Sequence, residues 1–176
     1  MVLLVVDTQK GITGHRLFEF NKVKNNIKQL IGEARKNGVE VIFVQHDDGP
    51  ESGFSKGDEA YEIYEEFSPQ KGEQIFCKTV NSSFHKSTGL LSYLQNKEEQ
   101  QIMTVGLQTD FCMDATIKSG FEHGFDMIIP EYTNSTFDNK YISKDVVYHY
   151  YNDFMWPDRY ARCIEMEDAF GMIRSR

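Results

Sequence analysis

The chain is poor in the residues that build extracellular scaffolds and membrane spans. Among its 176 residues are only three cysteines, Cys77, Cys112 and Cys163. An odd number, widely spaced and without a C-x-x-C pair, argues against a disulfide framework or a cysteine-based zinc site and fits a reducing cytoplasm. No apolar run approaches the roughly 20 residues that cross a bilayer. The chain opens on Val2-Leu3-Leu4-Val5-Val6 with no cationic leader, so a soluble cytoplasmic protein is expected. Basic side chains are outnumbered, 19 against 27 acidic, for a net charge of −8. That balance opposes binding to nucleic-acid phosphates and favours small-molecule chemistry. The four prolines and thirteen glycines are scattered and no interval repeats, which leaves a single domain over residues 1–176.

What is present is a regular alternation of strand-like and helical patterns. Strand-like runs are Leu3–Val6, Val39–Val44, Gln74–Lys78, Ile102–Val105, Asp126–Ile129 and Ala161–Ile164. Between them, Val23, Ile27, Leu30, Ile31 and Ala34 repeat at helical spacing, and Gly38 stops that helix. Further helices are expected around Leu90–Leu94, from Cys112 to Gly124, from Ser143 to Phe154 and at the C-terminus. This βα order predicts a three-layer α/β/α fold, a mainly parallel sheet of about six strands with helices on both faces. Asp47 to Glu66 has no clear apolar period and reads as an ordered loop with one short helix, either a lid or a subunit contact.

In open parallel sheets, ligands bind beyond the carboxyl ends of the strands. The residues there are Asp7 after strand one, His46 and Asp47 after strand two, Lys78 ending strand three and Cys112 past strand four. Cys112 sits at a strand-to-helix turn, where free N–H groups and the helix dipole favour a thiolate. Each residue alone has a plainer reading: a buried apolar cysteine, an aspartate bonding loop amides, a snorkelling lysine. Together they make chemical sense, because a carboxylate accepts the thiol proton and an ammonium fixes the charged forms.

Three ordered segments carry a resemblance to a known family: Leu4-Val5-Val6-Asp7-Thr8-Gln9, Lys78-Thr79-Val80-Asn81-Ser82-Ser83-Phe84 with Thr88 and Leu90, and Gly106-Leu107-Gln108-Thr109-Asp110-Phe111-Cys112. In these, and in Gly124-Phe125-Asp126 and the Asn152 to Ala161 region, the chain resembles the isochorismatase-like cysteine hydrolases, which include nicotinamidases and N-carbamoylsarcosine amidohydrolase. The resemblance implies an Asp7-Lys78-Cys112 triad, a cis peptide between Leu107 and Gln108, and an oxyanion hole formed by the backbone amides of Gln108 and Cys112. It implies hydrolysis of an amide or ureido-type C–N bond through a thioester, and a homo-oligomer, dimer or tetramer.

The nicotinamidase-like members carry a metal after strand two, on an aspartate, a histidine two positions on, and further histidines. Here the order is reversed in His46-Asp47-Asp48, and His85 falls beyond Lys78, so no metal and no cofactor are expected. The cysteine favours C–N hydrolysis over isochorismatase-type vinyl ether cleavage. A silent small-molecule binder or redox sensor on the same fold stays open, while a receiver-like phosphorylation domain lacks its acidic pair after strand one. His15, His85 and His123 lie in polar contexts without a partner acid. Asp110 is expected to cap the helix after it, and Cys77 and Cys163 to be core residues. Tyr148 to Trp156 concentrates aromatics suited to helix packing and subunit contact.

Overall fold

A computed structural model describes residues 1–176. In chain order the elements are β1 (Val2–Val6), α1 (Phe20–Lys36), β2 (Glu40–His46), β3 (Gln74–Lys78), α2 (Leu90–Asn96) and β4 (Gln101–Leu107). A π-helical turn, Thr109–Met113, then leads into α3 (Asp114–Glu122). There follow β5 (Asp126–Pro130), β6 (Asn134–Ser135), α4 (Lys144–His149) with a π-helical extension over Tyr150–Met155, β7 (Arg162–Ile164) and α5 (Met166–Arg174). The strands run β3-β2-β1-β4-β5-β7, with β6 on the far end of β4, and every ladder is parallel.

Apolar side chains on both faces of β1 make the sheet a three-layer core. Val2, Leu4 and Val6 pack with Leu90, Leu94, Ile117 and Trp156 on one side. Leu3 and Val5 point the other way, onto Val23, Ile27, Leu30 and Ile31 of α1 and Ala169 and Ile173 of α5. The period of two along the strand divides neighbours between layers. Each buried aliphatic side chain contributes about 1.5–3 kcal/mol. From β1 the chain builds outward to β2 and β3, then returns to β4 on the other side of β1. The order therefore reverses between β1 and β4, and the crevice at their carboxyl ends is where such sheets take ligands.

The sheet has seven strands where the pattern predicts about six. The extra one, Asn134–Ser135, is two buried polar residues and so has no apolar signature. Its Asn134 side chain accepts from Thr109 Oγ1 at 2.8 Å and donates to Asn152 Oδ1 at 2.8 Å, which pins the π-helical turn to the sheet. The Asp47 to Glu66 segment holds one 3₁₀ turn, Glu59–Tyr61, and the start of a second, Glu65–Phe67, instead of one helix. Cys77 is exposed and Cys163 half-buried, contrary to the core placement expected for both. The reason for Cys77 is that β3 is the sheet edge, where Ile75 also stays exposed. Of the aromatic concentration, Tyr148 and Trp156 are buried, whereas Tyr150 and Phe154 face outward.

Candidate active site

Lys78 is the centre of the site, and the sheet register explains why it has to be a long side chain. It is paired in the ladder with His46 of β2, and β2 separates it from β1. Neighbouring strands are about 4.8 Å apart, so only a lysine- or arginine-length chain reaches from β3 past β2 to the end of β1. There the ammonium donates to Asp7 Oδ2 at 2.6 Å, to His46 Nδ1 at 3.0 Å and to Cys112 Sγ at 3.1 Å. Those three acceptors satisfy all three N–H donors of a group that is 1% exposed. With His46 Nδ1 accepting, the ring proton sits on Nε2, which donates to Asp48 Oδ1 at 3.0 Å.

Ligand atoms of Asp7, His46 and Cys112 lie within 4.8 Å of one another, a spacing suited to a metal ion. Lys78 Nζ already donates to all three, so the cation that unites these donors is the ammonium. The acid after β2 is also committed: Asp47 Oδ1 accepts from the Gly49 N–H and the Ser55 hydroxyl. The residues present do not fit a metal site.

Asp7 directly follows β1 with φ 49, and its N–H donates to the Val44 carbonyl at 2.9 Å. Its Oδ2 is held by Lys78, while its Oδ1 is buried and met by no N–H or O–H donor, which leaves the Cys112 thiol as the side-chain donor beside Asp7. Such an unsatisfied carboxylate oxygen is costly, about 1–3 kcal/mol or more, and is usually retained for a role. Burial raises the Asp7 pKa above 3.8, against the opposing pull of Lys78. Burial and the Asp7 charge also push the Cys112 thiol up to about 12, more strongly than Lys78 draws it down. This corrects the expectation of a resting thiolate. Desolvation outweighs the helix end, and the helical stretch starts at Thr109, which leaves Cys112 inside a π-helical turn.

Other sequence expectations resolve as follows. Leu107 and Gln108 are joined by a cis peptide bond, and the Gln108 N–H donates to no backbone carbonyl. The Gln108 carbonyl accepts from the N–H groups of Phe111 and Met113, closing the turn around Cys112. Asp110 does not cap the helix; its Oδ1 accepts from the Thr136 hydroxyl at 2.6 Å and ties the turn to the segment after β6. His15, His85 and His123 are exposed and stand apart from the site residues.

Sequence reasoning named Gln9 and His46 but gave neither a role in the site. Gln9, fully buried, donates through Nε2 to the carbonyls of His46 and Tyr61 and accepts from the His46 N–H, clamping the end of β2. His46 itself had a usable signal, since a residue paired with Lys78 in a parallel ladder points to the same side.

A cavity of about 300 Å³ opens beside Asp7 and Cys112. Asp7, His46 and Cys112 form its floor, while Ile12, Phe54 and Phe111 are its apolar walls. Asp48, Asn81 and Gln108 complete the lining. Phe54 arrives from the loop after β2, and a Cβ on Gly11 would come within 2.8 Å of both its ring and the Ala60 Cβ. Gly11→Ala is therefore expected to displace Phe54 and raise KM by roughly fivefold or more, with kcat little changed. Steady-state kinetics on any turned-over substrate checks this, and an unchanged KM would remove Phe54 from the binding wall.

The isochorismatase domain model matches residues 1–145, which include all three motif segments. The uncharacterized isochorismatase family protein YrdC of Bacillus subtilis is 36% identical over 127 residues, covering 70% of this chain and 67% of that protein. The ureidoacrylate amidohydrolase RutB of Yersinia enterocolitica is 24% identical over 203 residues, covering 92% and 88%. Among solved structures, N-carbamoylsarcosine amidase of Thermoplasma acidophilum shares the fold with a TM-score of 0.77 at 21% identity, over 94% of this chain and 96% of that one. Fold, matched motifs and identity agree, and the chain belongs to the isochorismatase family of hydrolases.

Proposed function

We propose that this protein is a cysteine hydrolase that cleaves the C–N bond of a small amide or ureido compound through a thioester on Cys112. The observation that carries the reading is the lysine bridge: one buried ammonium holds Asp7 Oδ2 and Cys112 Sγ together while Asp7 Oδ1 remains free. That free oxygen accepts the thiol proton as sulfur bonds to the carbonyl carbon, so no thiolate accumulates against a pKa of about 12. The backbone amides of Gln108 and Cys112 take the developing oxyanion, a type of contact worth about 2.7–4 kcal/mol. Breakdown of the intermediate breaks the C–N bond, and Asp7 returns its proton to the departing amine or ammonia. Water, deprotonated by Asp7, then attacks the thioester, releasing a carboxylic acid and restoring the thiol. Amide chemistry is supported by the named activity of the ureidoacrylate relative.

A redox sensor needs an accessible sulfur, whereas Cys112 is 9% exposed and its Sγ accepts from the buried Lys78 ammonium. Three free cysteines suit a reducing cytoplasm, and no helix is long and apolar enough to cross a membrane. Val146, Tyr150 and Phe154, exposed at helical spacing along α4 and its extension, suit a contact with a second copy of the chain. Light scattering on the purified protein tests that assembly.

Ammonia release across a panel of small amides and ureido compounds tests the activity, with mass spectrometry to detect the acyl adduct on Cys112. Cys112→Ala is expected to lower turnover by about 10⁴-fold or more; a variant that kept full activity would overturn the reading. The rate should also depend on pH in a specified direction. Asp7 must be ionised to accept the proton and its pKa is raised, so kcat/KM falls as pH drops through a value above 3.8. An acidic limb at or below 3.8 would exclude Asp7 as the base.

A further inference from the structure

Resting on the hydrolase reading, the charge of the cavity points to a substrate class. Of the residues lining it, Asp7 and Asp48 are the acids and none is a lysine or arginine, and Asp7 is paired with Lys78. His46 accepts from that ammonium through Nδ1 and donates its Nε2–H to Asp48, so neither ring nitrogen is left to pair with a ligand. Asp48 is the acid open to solvent, its side chain 56% exposed against 1% for Asp7. Its position is built, because the Asp48 N–H donates to the Phe54 carbonyl at 3.1 Å, and the Asp47 side chain fastens the same loop to Gly49 and Ser55. Acid and aromatic ring are thus presented together, facing Phe111, which is half exposed at 52%.

A carboxylate and the faces of aromatic rings are what hold an organic cation, and no lysine or arginine lines this cavity to pair with an anion. We propose that the protein hydrolyses amides whose remote end is cationic, tolerates neutral ones, and discriminates against those that carry a carboxylate. The same field favours turnover, since hydrolysis creates a carboxylate that Asp48 repels from the site.

Three amides of matched length supply the test: 4-aminobutanamide, pentanamide and succinamate. Each is assayed for ammonia release and for protection of Cys112 against alkylation by iodoacetamide, which reports binding independently of turnover. The cationic amide is expected to exceed succinamate at least tenfold in both readouts, with pentanamide between them. Asp48→Asn keeps an oxygen for His46 and should cut the cation-to-neutral ratio at least threefold, while Asp48→Lys should reverse the order of cation and anion. Equal or better binding of succinamate, or no protection by any of the three, overturns the charge assignment. Protection in the expected order without ammonia from any of them leaves the charge preference standing and removes the hydrolytic reading.

Discussion

Replacing Lys78 with methionine is expected to destabilise the protein by about 3–5 kcal/mol near pH 8, because it leaves the Asp7 carboxylate buried without its partner. For a chain of this size the loss is roughly 6–20 °C in Tm. Turnover should disappear with it, since the ammonium also holds Cys112 and His46. The pH dependence separates this cause from lost packing. Asp7 already has a raised folded pKa, and removing Lys78 removes the main influence that lowers it. A carboxyl group with a raised folded pKa binds more protons in the folded state, so the variant gains stability relative to the parent as pH falls from 8 toward 3.8. Denaturant titrations at pH 8 and pH 5 check this; a deficit that did not shrink at pH 5 would mean that the lost contacts, not the orphaned charge, set the cost. Adding Asp7→Asn to the variant should recover stability at pH 8 while leaving the protein inactive.

Gly106→Ala is expected to cost about 4 kcal/mol or more, the range reached only by severe local conflicts. A Cβ there would lie 2.0 Å from the Val6 carbonyl oxygen and 2.8 Å from its carbon, and the residue has φ +134. Both conflicts involve backbone, and β1 and β4 are adjacent central strands that cannot part without breaking the ladder. Soluble yield and urea unfolding provide the measurement. Gly171→Ala, in α5 with nothing within 4 Å of the new methyl, is the control and should be neutral or stabilising by up to about 1 kcal/mol. A Gly106→Ala protein as stable as the parent would contradict the close approach of the two strands.

Gln74–Lys78 is a strand with the predicted bounds, and α1 buries the predicted Val23, Ile27, Leu30, Ile31 and Ala34, because in both cases local periodicity and burial agree. Asn134–Ser135 was illegible: it is held by side-chain hydrogen bonds and the end of β4, neither of which leaves an apolar period. Cys77 misled because a strand pattern does not say whether the strand is central or at the edge. Asp110 misled because a helix-capping spacing is equally open to a partner remote in sequence, here Thr136.

By itself the sequence determined the α/β alternation, the two apolar faces of the central strands and the placing of Asp7, Lys78 and Cys112 at strand ends, since each follows from short-range pattern. Only the tertiary structure decided what those residues are to one another. The lysine bridge depends on the register of β3 against β2, the free Oδ1 on which side of Asp7 that ammonium approaches, and the raised thiol on how much water the packing excludes. Distances and desolvation are properties of residues 34 to 71 positions apart, and no local pattern encodes them.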